Sequence, residues 1–546
     1  MLFRSAAGIT MLYAPAIPAL LATSAMTKIS RGLFDDTFVG IHRLAWFDWA
    51  LLIPYFGVLA ILSVYGLHRF DTIHTYFKHR KKATGAPIPF ETLPPVTIQL
   101  PLYNERYVLE RLIDEVVKME YPRELLQIQV LDDSTDDTHQ FAEALCERYR
   151  NMGHNIEYKH RTNREGYKAG ALQEGLETAT GEFVAVFDAD FLPPVDFLTR
   201  TINHFSDPNV GVVQTRWTYL NSDFNFLTEV QKVLLDGHFI LEHGARSRAG
   251  YFFNFNGTAG ILRKSMIADA GGWQHDTLTE DSDLSYRAQV KGWKFVYVPG
   301  VECPSELPVE MHGFQVQQFR WAKGLTQCAK KLLPGLYRAN IPFRVKAEAF
   351  MHLTPNISYP LMVIISALML PVMIVRFYMG AWEMVLLDLP LIVASFWSLS
   401  AFYLIAQREL DPKNWKRTIF FLPLLMAVGV GLTLNNTRAV LEALFGVESG
   451  FVRTPKYAIE GTQQKRMVVK KYKRRSGLLP YFELACGTYF LYICWFAIET
   501  GNYLTLPFLM LFVGGYYWAG FATLWQEHQD RMRHDRQSRL EFETAQ

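Results

Sequence analysis

The chain alternates between long apolar runs and stretches patterned for a water-soluble fold. LAWFDWALLIPYFGVLAILSVYG (44–66) is apolar throughout except for Asp48. At about 1.5 Å per residue it reaches roughly 34 Å, enough to cross a bilayer's hydrocarbon core. Runs at 358–377 and 384–406 predict a transmembrane hairpin, and 481–498 with 503–525 predict a second. A weaker run at 8–26 is expected as a further membrane helix rather than a cleaved leader, because 44–66 can already insert. The expected count is five crossings, or six with 8–26.

Residues 418–446 are apolar enough to suggest another crossing, but parity opposes one. The loop that follows carries Arg453, Lys456, Lys465, Arg466, Lys470, Lys471, Lys473, Arg474 and Arg475 against two acids, Glu448 and Glu460. Such a loop belongs on the inner side, so the segment 407–446 is expected to lie in, or re-enter, the membrane surface. The basic cluster KHRKK (78–82) likewise places residues 67–350 in the cytosol.

That cytosolic region has a different period. Short β-rich runs at 96–101, 126–133, 183–190, 210–217 and 294–300 alternate with helical patterns. Between the first two, Leu109, Leu112, Ile113, Val116 and Val117 recur at helical spacing. This is βαβ alternation, which predicts an α/β domain with a mostly parallel sheet and flanking helices. The expected organisation is a membrane segment to 66, the cytosolic domain over 67–350 with interfacial helices near 310–340, hairpins at 351–406 and 481–525, a basic loop over 447–480, and a polar tail from 526.

Composition changes this picture little. The chain has 546 residues, half of them hydrophobic and a fifth charged, so the average mixes two kinds of material. A net charge of +2 gives no indication of nucleic-acid binding. The five cysteines are scattered without a CxxC pair, which suggests neither a disulfide scaffold nor a zinc site and fits a reducing compartment.

In an open parallel sheet, ligands bind beyond the carboxyl ends of the strands, which makes the acids there informative. Asp132 and Asp133 end one run, and Asp188 and Asp190 end another. Two acids one residue apart can share a divalent cation with the oxygens of a diphosphate, although acids at strand ends also cap turns. TED (279–281) supplies a candidate general base in Asp281, or merely the cap of the helix that follows. Neither a GxGxxG nor a GxxxxGK[ST] pattern occurs, so a dinucleotide site and a P-loop are unsupported. In GFQVQQFRWAKG (313–324), Gln317, Arg320 and Trp321 share a helix face. Alone, that face reads first as a juxtamembrane anchor.

The ordered series PLYNE (101–105), DDSTDD (132–137), YKAG (167–170), DAD (188–190), FNGTAG (255–260), TED (279–281), QQFRW (317–321) and FVRTPK (451–456) resembles the membrane-embedded family 2 glycosyltransferases. These are the cellulose synthase-like enzymes, and the wording is nearest the mannan synthase and glucan synthase-like branches and their bacterial relatives. Each pattern is weak by itself; eight in order within a matching topology are strong. The resemblance implies a GT-A glycosyltransferase domain set between transmembrane helices, a nucleotide-diphosphate sugar donor and Mg²⁺ or Mn²⁺. It implies that Tyr103, Glu105, Asp132, Asp133, Lys168 and Asp188 bind the donor, and that Asp188 and Asp190 hold the metal. Asp281 would be the catalytic base. Gln317, Gln318, Arg320, Trp321, Asn256, Gly257 and Thr258 would meet acceptor and diphosphate. Phe451, Val452, Arg453, Thr454 and Lys456 would form a gating loop, within which Arg453 and Pro455 depart from the usual pattern. No regulatory domain is expected after 525, and KKYKRR (470–475) reads as an anchor to anionic lipid.

The expected function is therefore a processive, inverting β-glycosyltransferase that uses a UDP-glucose- or GDP-mannose-class donor. It would extend a polysaccharide at the inner face of a membrane and pass it through its own helices. A non-processive enzyme acting on a lipid acceptor is the alternative, and a catalytically dead scaffold is the reading from another class. Expected partners are donor, growing glycan or lipid acceptor, and membrane lipid, with accessory export proteins or a second copy of the chain admitted and nucleic acid excluded.

Overall fold

The computed structural model describes residues 44–82, 87–377, 393–448, 450, 454, 456–461 and 477–545. The expected segments 8–26 and 470–475, and part of 384–406, lie outside them.

The first apolar run continues well beyond 66, as helix α1 (Trp46–His79). Asp48 closes its first turn by accepting from the Ala45 amide (2.7 Å). The boundary expected at 66 falls inside this helix because HRFDTIHTYFKH keeps helical spacing, burying Thr72, Ile73 and Tyr76.

A seven-stranded sheet follows in the order β3-β2-β1-β4-β6-β5-β7. The strands are β1 (Val96–Leu102), β2 (Leu126–Asp132), β3 (Ile156–His160), β4 (Phe183–Val186), β5 (Val210–Tyr219), β6 (Gly260–Arg263) and β7 (Lys294–Ser305). β1, β2 and β4 are buried along their whole length, as strands covered on both faces are. The helices α2 (Arg106–Val116), α3 (Thr138–Asn151), α4 (Tyr167–Thr178), α5 (Phe226–Gly237) and α6 (Glu280–Val290) fill the connections.

Two strands escaped the pattern reading. β3 is IEYKH, a half-polar edge strand, and β6 has only four residues, GILR. β6 is also the exception to parallel pairing, running antiparallel to both β4 and β5. That reversal has a functional consequence. It brings the turn before β6, residues 256–259, to the carboxyl end of β4, where the Ala259 amide donates to the Val186 carbonyl (2.9 Å).

Past the sheet come α7 (Met311–Arg338), α8 (Phe343–Leu353), α9 (Ser358–Phe377) and α10 (Ser398–Leu410). Then follow α11 (Thr418–Gly431), α12 (Thr433–Leu444), α13 (Leu479–Glu499) and α14 (Leu506–Ala545). Among the described residues, four helices are long and apolar enough to cross a membrane: Trp46–His79, Pro355–Phe377, Leu479–Glu499 and Tyr503–Gln529. α11 and α12 do not continue as one rod but bend by 44° at Leu432, inside the segment 407–446 expected to lie in, or re-enter, the membrane surface. Gly431 allows the close approach of α14 there, since a Cβ would lie 2.8 Å from the Gly515 carbonyl.

Candidate active site

The carboxyl ends of β1, β2 and β4 open onto a cavity of about 640 Å³, closed on the far side by α7. Asp188 sits on a backbone fixed from the neighbouring turn, its amide donating to Thr258 Oγ1 (2.9 Å). Its carboxylate meets the Lys168 ammonium, which also donates to the Gly257 carbonyl (2.9 Å). Burial alone would lower the pKa of Lys168, but Asp188, Glu280 and Asp281 outweigh it and hold the group above its ordinary value. Asp190 is nearly buried, and its carboxylate meets Lys456, whose Nζ also donates to the Glu306 carbonyl (2.7 Å).

Asp281 lies in the first turn of α6, behind Thr279 at the N-cap. Its Oδ2 packs so closely on Gly257 that a Cβ there would stand 2.9 Å away. Gly257 also has φ of +80°, so both backbone conformation and space require glycine. Burial pushes the Asp281 carboxyl up to about 7, with Glu280 adding to the rise. A carboxyl tuned close to neutrality suits proton abstraction.

The other end of the cavity is built around arginines that the sequence reading did not single out. Arg161, at the end of β3, grips Asp133 with both arms (Nε–Oδ1 2.8 Å, Nη2–Oδ2 2.7 Å). It also donates to the carbonyls of Glu165 (3.2 Å) and Tyr167 (2.9 Å). That steadies a turn in which Arg164, Gly166 and Tyr167 all have positive φ and which presents Lys168. Arg164 lies over the Tyr103 ring, its guanidinium carbon 3.4 Å from the centroid. Asp133, Tyr103 and Glu105 line the cavity, but Asp132 does not. The carboxylate of Asp132 is fully buried, accepting from the Tyr158 hydroxyl (2.9 Å) and the Ser134 amide (2.9 Å).

From α7, Gln317, Arg320 and Trp321 line the cavity while Gln318 does not. The helix is held close by Gly324, where a Cβ would lie 2.6 Å from Thr279 of the TED turn. Lys323, almost wholly buried, ties it to α12 through Glu442 (2.8 Å) and the Val447 carbonyl (2.7 Å). Asn256 and Gly257 line the cavity, whereas Thr258 works from behind by anchoring Asp188. Of the gating-loop residues, Thr454 and Lys456 line the cavity, and Phe451, Val452 and Arg453 lie outside the described residues. Lys456 is seated through Glu306, whose Oε1 accepts from the Tyr457 amide (2.7 Å). Sequence reading missed Arg161 because β3 was not recognised. It missed Glu306 because β7 runs five residues beyond the expected 294–300, to Ser305.

Among the described residues no three His, Cys, Asp or Glu side chains gather as a ready-made metal cage. The hard oxygens of Asp188 and Asp190, each already beside a cation, fit a divalent ion and would leave its other positions to a diphosphate and water.

Residues 97–269 match the family model described as glycosyl transferase family 2. The chain is 45% identical over 250 residues to glucomannan 4-beta-mannosyltransferase 2 of Arabidopsis thaliana, covering 45% of this chain and 47% of that one. It is 40% identical over 299 residues to a probable glucomannan 4-beta-mannosyltransferase 7 of Oryza sativa subsp. japonica, covering 51% of each. The matched region spans about half the length of these curated relatives. Among solved structures, the mannosyltransferase PcManGT from Pyrobaculum calidifontis in complex with GDP-Man and Mn2+ aligns over 72% of this chain and 100% of that one, at 22% identity and a TM-score of 0.48. Residues 97–269 thus form a family 2 glycosyltransferase domain with a GT-A-like, mostly parallel sheet, flanked by helices apolar enough to cross a membrane, and over about half its length the chain is similar to the cellulose synthase-like glucomannan 4-beta-mannosyltransferases.

Proposed function

We propose that the chain is an inverting mannosyltransferase. It takes mannose from a nucleoside-diphosphate donor, GDP-mannose first among candidates, and adds it by β-linkage to a growing glycan that it then passes into its own membrane helices. The mannosyl specificity and β-linkage follow the names of the relatives above. The observation that carries the reading is the shared cavity. Asp281, Lys168, Asp188 and Asp190 converge on it from the sheet side, and Arg320 and Trp321 reach it from a helix that leads towards the membrane.

Each residue then has a physical task. Asp281 accepts the proton of the acceptor hydroxyl as that oxygen attacks the anomeric carbon from the face opposite the diphosphate, so an α-linked donor gives a β-linked product. Lys168 and Arg320 offset the charge that builds on the departing diphosphate. Trp321 offers an aromatic plate to the apolar face of a sugar ring. Asp133 and Tyr103 bound the nucleotide end. A divalent ion held by Asp188 and Asp190, Mg²⁺ or Mn²⁺, would neutralise diphosphate charge. For that ion to bind, Lys456 has to leave Asp190, which makes the segment around Thr454 and Lys456 a natural closing element. The basic clusters flanking the membrane helices support a cytosolic site.

The test is purified protein in detergent or nanodiscs with Mg²⁺ or Mn²⁺ and a panel of nucleotide sugars, scored for released nucleoside diphosphate and product length. The expected result is turnover with a mannose donor and a β-linked polymer sensitive to a β-mannanase. A product confined to a one-sugar glycolipid would replace the processive reading with single transfer to lipid. Absence of turnover with every donor would refute the proposal.

A further inference from the structure

One feature of the α5 region belongs to none of the motifs above. After α5, the chain makes a single π turn, His238–His243, before the short helix Gly244–Ala249. In an α-helix, residues five apart point about 140° away from each other. A turn closed by i→i+5 hydrogen bonds brings them onto nearly the same face, and such turns gather at functional sites. Here the two ends of the π turn are both histidines, with ring centroids 4.3 Å apart.

Both imidazoles are aimed at one side chain, Asn256. His243 Nε2 lies 2.7 Å from Asn256 Oδ1, and His238 Nε2 lies 3.1 Å from Asn256 Nδ2. The tautomers follow from the outer partners. His238 Nδ1 faces the Glu242 carboxylate (2.8 Å), which can only accept, so Nδ1 carries the proton and Nε2 accepts from the Asn256 amide. His243 donates from Nε2 to the amide oxygen, and its Nδ1 is buried without a partner, as a bare lone pair can be. His243 is fully buried among Phe253 and Tyr297, and that burial, with Arg246 nearby, holds it well below its ordinary pKa and hence neutral. Glu242 is in turn bonded by Arg246 (3.3 Å), which is bonded to Glu348 of α8 (2.8 Å), which is bonded to His68 of α1 (2.8 Å). The clamp is thus built on a partly buried ionic chain that reaches α1.

We infer that His238 and His243 are positioning residues for the transfer reaction, fixing Asn256 so that the Asn256–Gly257–Thr258 turn is in register with Lys168, Asp188 and Asp281. This turn meets all three: the Gly257 carbonyl takes the Lys168 ammonium, Asp281 Oδ2 fills the space a Cβ on Gly257 would need, and Thr258 Oγ1 takes the Asp188 amide. With both ends of its amide engaged by histidines, Asn256 acts through the turn rather than by reaching the acceptor sugar.

The inference rests on the transfer proposed above, and the experiment separates the two. Glutamine can place its amide nitrogen where His243 Nε2 stands, while asparagine is too short, though equally polar. His243→Gln should keep kcat within about threefold of wild type, and His243→Asn should lower it about tenfold, with donor KM moving less than about twofold in either. His238→Gln and His238→Asn should divide the same way, since only glutamine is long enough to bring an acceptor to Asn256 Nδ2. Thermal unfolding of all four variants is measured alongside. Gln and Asn variants with equal kcat, whether both unchanged or both reduced, would overturn the inference, as would losses that appear in donor KM alone. A wild-type protein that releases no nucleoside diphosphate from any donor would overturn the transfer reading and this inference with it.

Discussion

At the end of β2, Asp132 is held by the Tyr158 hydroxyl and the Ser134 amide, and Asp133 by both arms of Arg161. Two strands away, at the end of β4, Asp188 and Asp190 each meet one lysine. In sequence the two pairs look alike, acids at the end of an apolar run. Their partners differ in kind. Those at β2 come from the adjoining strand and turn and are geometrically committed, with the guanidinium fork matching the carboxylate. Those at β4 are ammonium groups on flexible stems, and Lys456 comes from 266 residues further along the chain. A point charge of that sort can be exchanged for another cation. In the proposed reaction the β2 acids are framework for the nucleotide end, and the β4 acids a site where charge is traded.

The largest effect should come from the acid that faces the β4 pair. Asp281→Asn removes the proposed base and is expected to lower kcat by roughly 10³-fold while leaving nucleotide binding intact. The wild-type rate should fall as pH drops through about 7, the value to which burial pushes Asp281, and the residual Asn activity should lack that limb. Stability should move in the opposite sense. The folded pKa is raised, so the stability contributed by the neutral acid is fully present below its unfolded value near 4 and is lost as pH rises through about 7. At pH 8 the Asn variant should therefore melt about 2–4 °C above wild type, with the difference vanishing by pH 4. An Asn variant that keeps wild-type kcat would remove Asp281 from the chemistry.

Next comes the exchange itself. Asp190→Asn should lower turnover about 10²-fold and shift the Mg²⁺ or Mn²⁺ concentration needed for half-maximal rate upward. The analogous change at β2 should leave the metal requirement where it was. A metal titration on both variants measures the contrast directly. Identical shifts at the two strand ends would mean that both acid pairs serve the cation, and the comparison would fail.

How much of this could be read in the sequence follows from where the information resides. Fully buried strands such as VTIQLPL and LQIQVLD announce themselves by apolar content, and the acids that end them are visible at once. What separates framework from exchange site is the identity of the partners. Arg161 follows β3, whose IEYKH pattern is too polar for a run-based reading, and Lys456 arrives from beyond α9 to α12. The antiparallel β6 was equally hidden, because four residues carry no period, yet it sets FNGTAG beside DAD. Gly324 was printed in the sequence as one more helix residue. Only the packing shows that a side chain there would push α7 off the TED turn. The π turn at His238–His243 is the extreme case: two histidines five apart belong to different faces under the helical period that such readings assume.

The smallest effects test the framework half of the comparison. Asp133→Asn keeps the shape of the side chain but leaves Arg161, itself mostly buried, without its counter-charge. Arg161 also steadies the turn that presents Lys168. The expected result is a rise of about tenfold in donor KM with kcat changed little, since the loss falls on binding at the nucleotide end. Asp132→Asn should do less still. Its carboxylate accepts from the Tyr158 hydroxyl and the Ser134 amide, with His160 Nδ1 3.4 Å away, and an amide oxygen can replace only one of those oxygens as acceptor. A loss of about 1 kcal/mol in stability, with donor KM and kcat near wild type, is expected and can be read from melting temperature and initial rates. If Asp132→Asn instead abolished donor binding, the buried acid would have to act on the nucleotide through Asp133, and the division between framework and exchange would then have to be drawn within β2 itself.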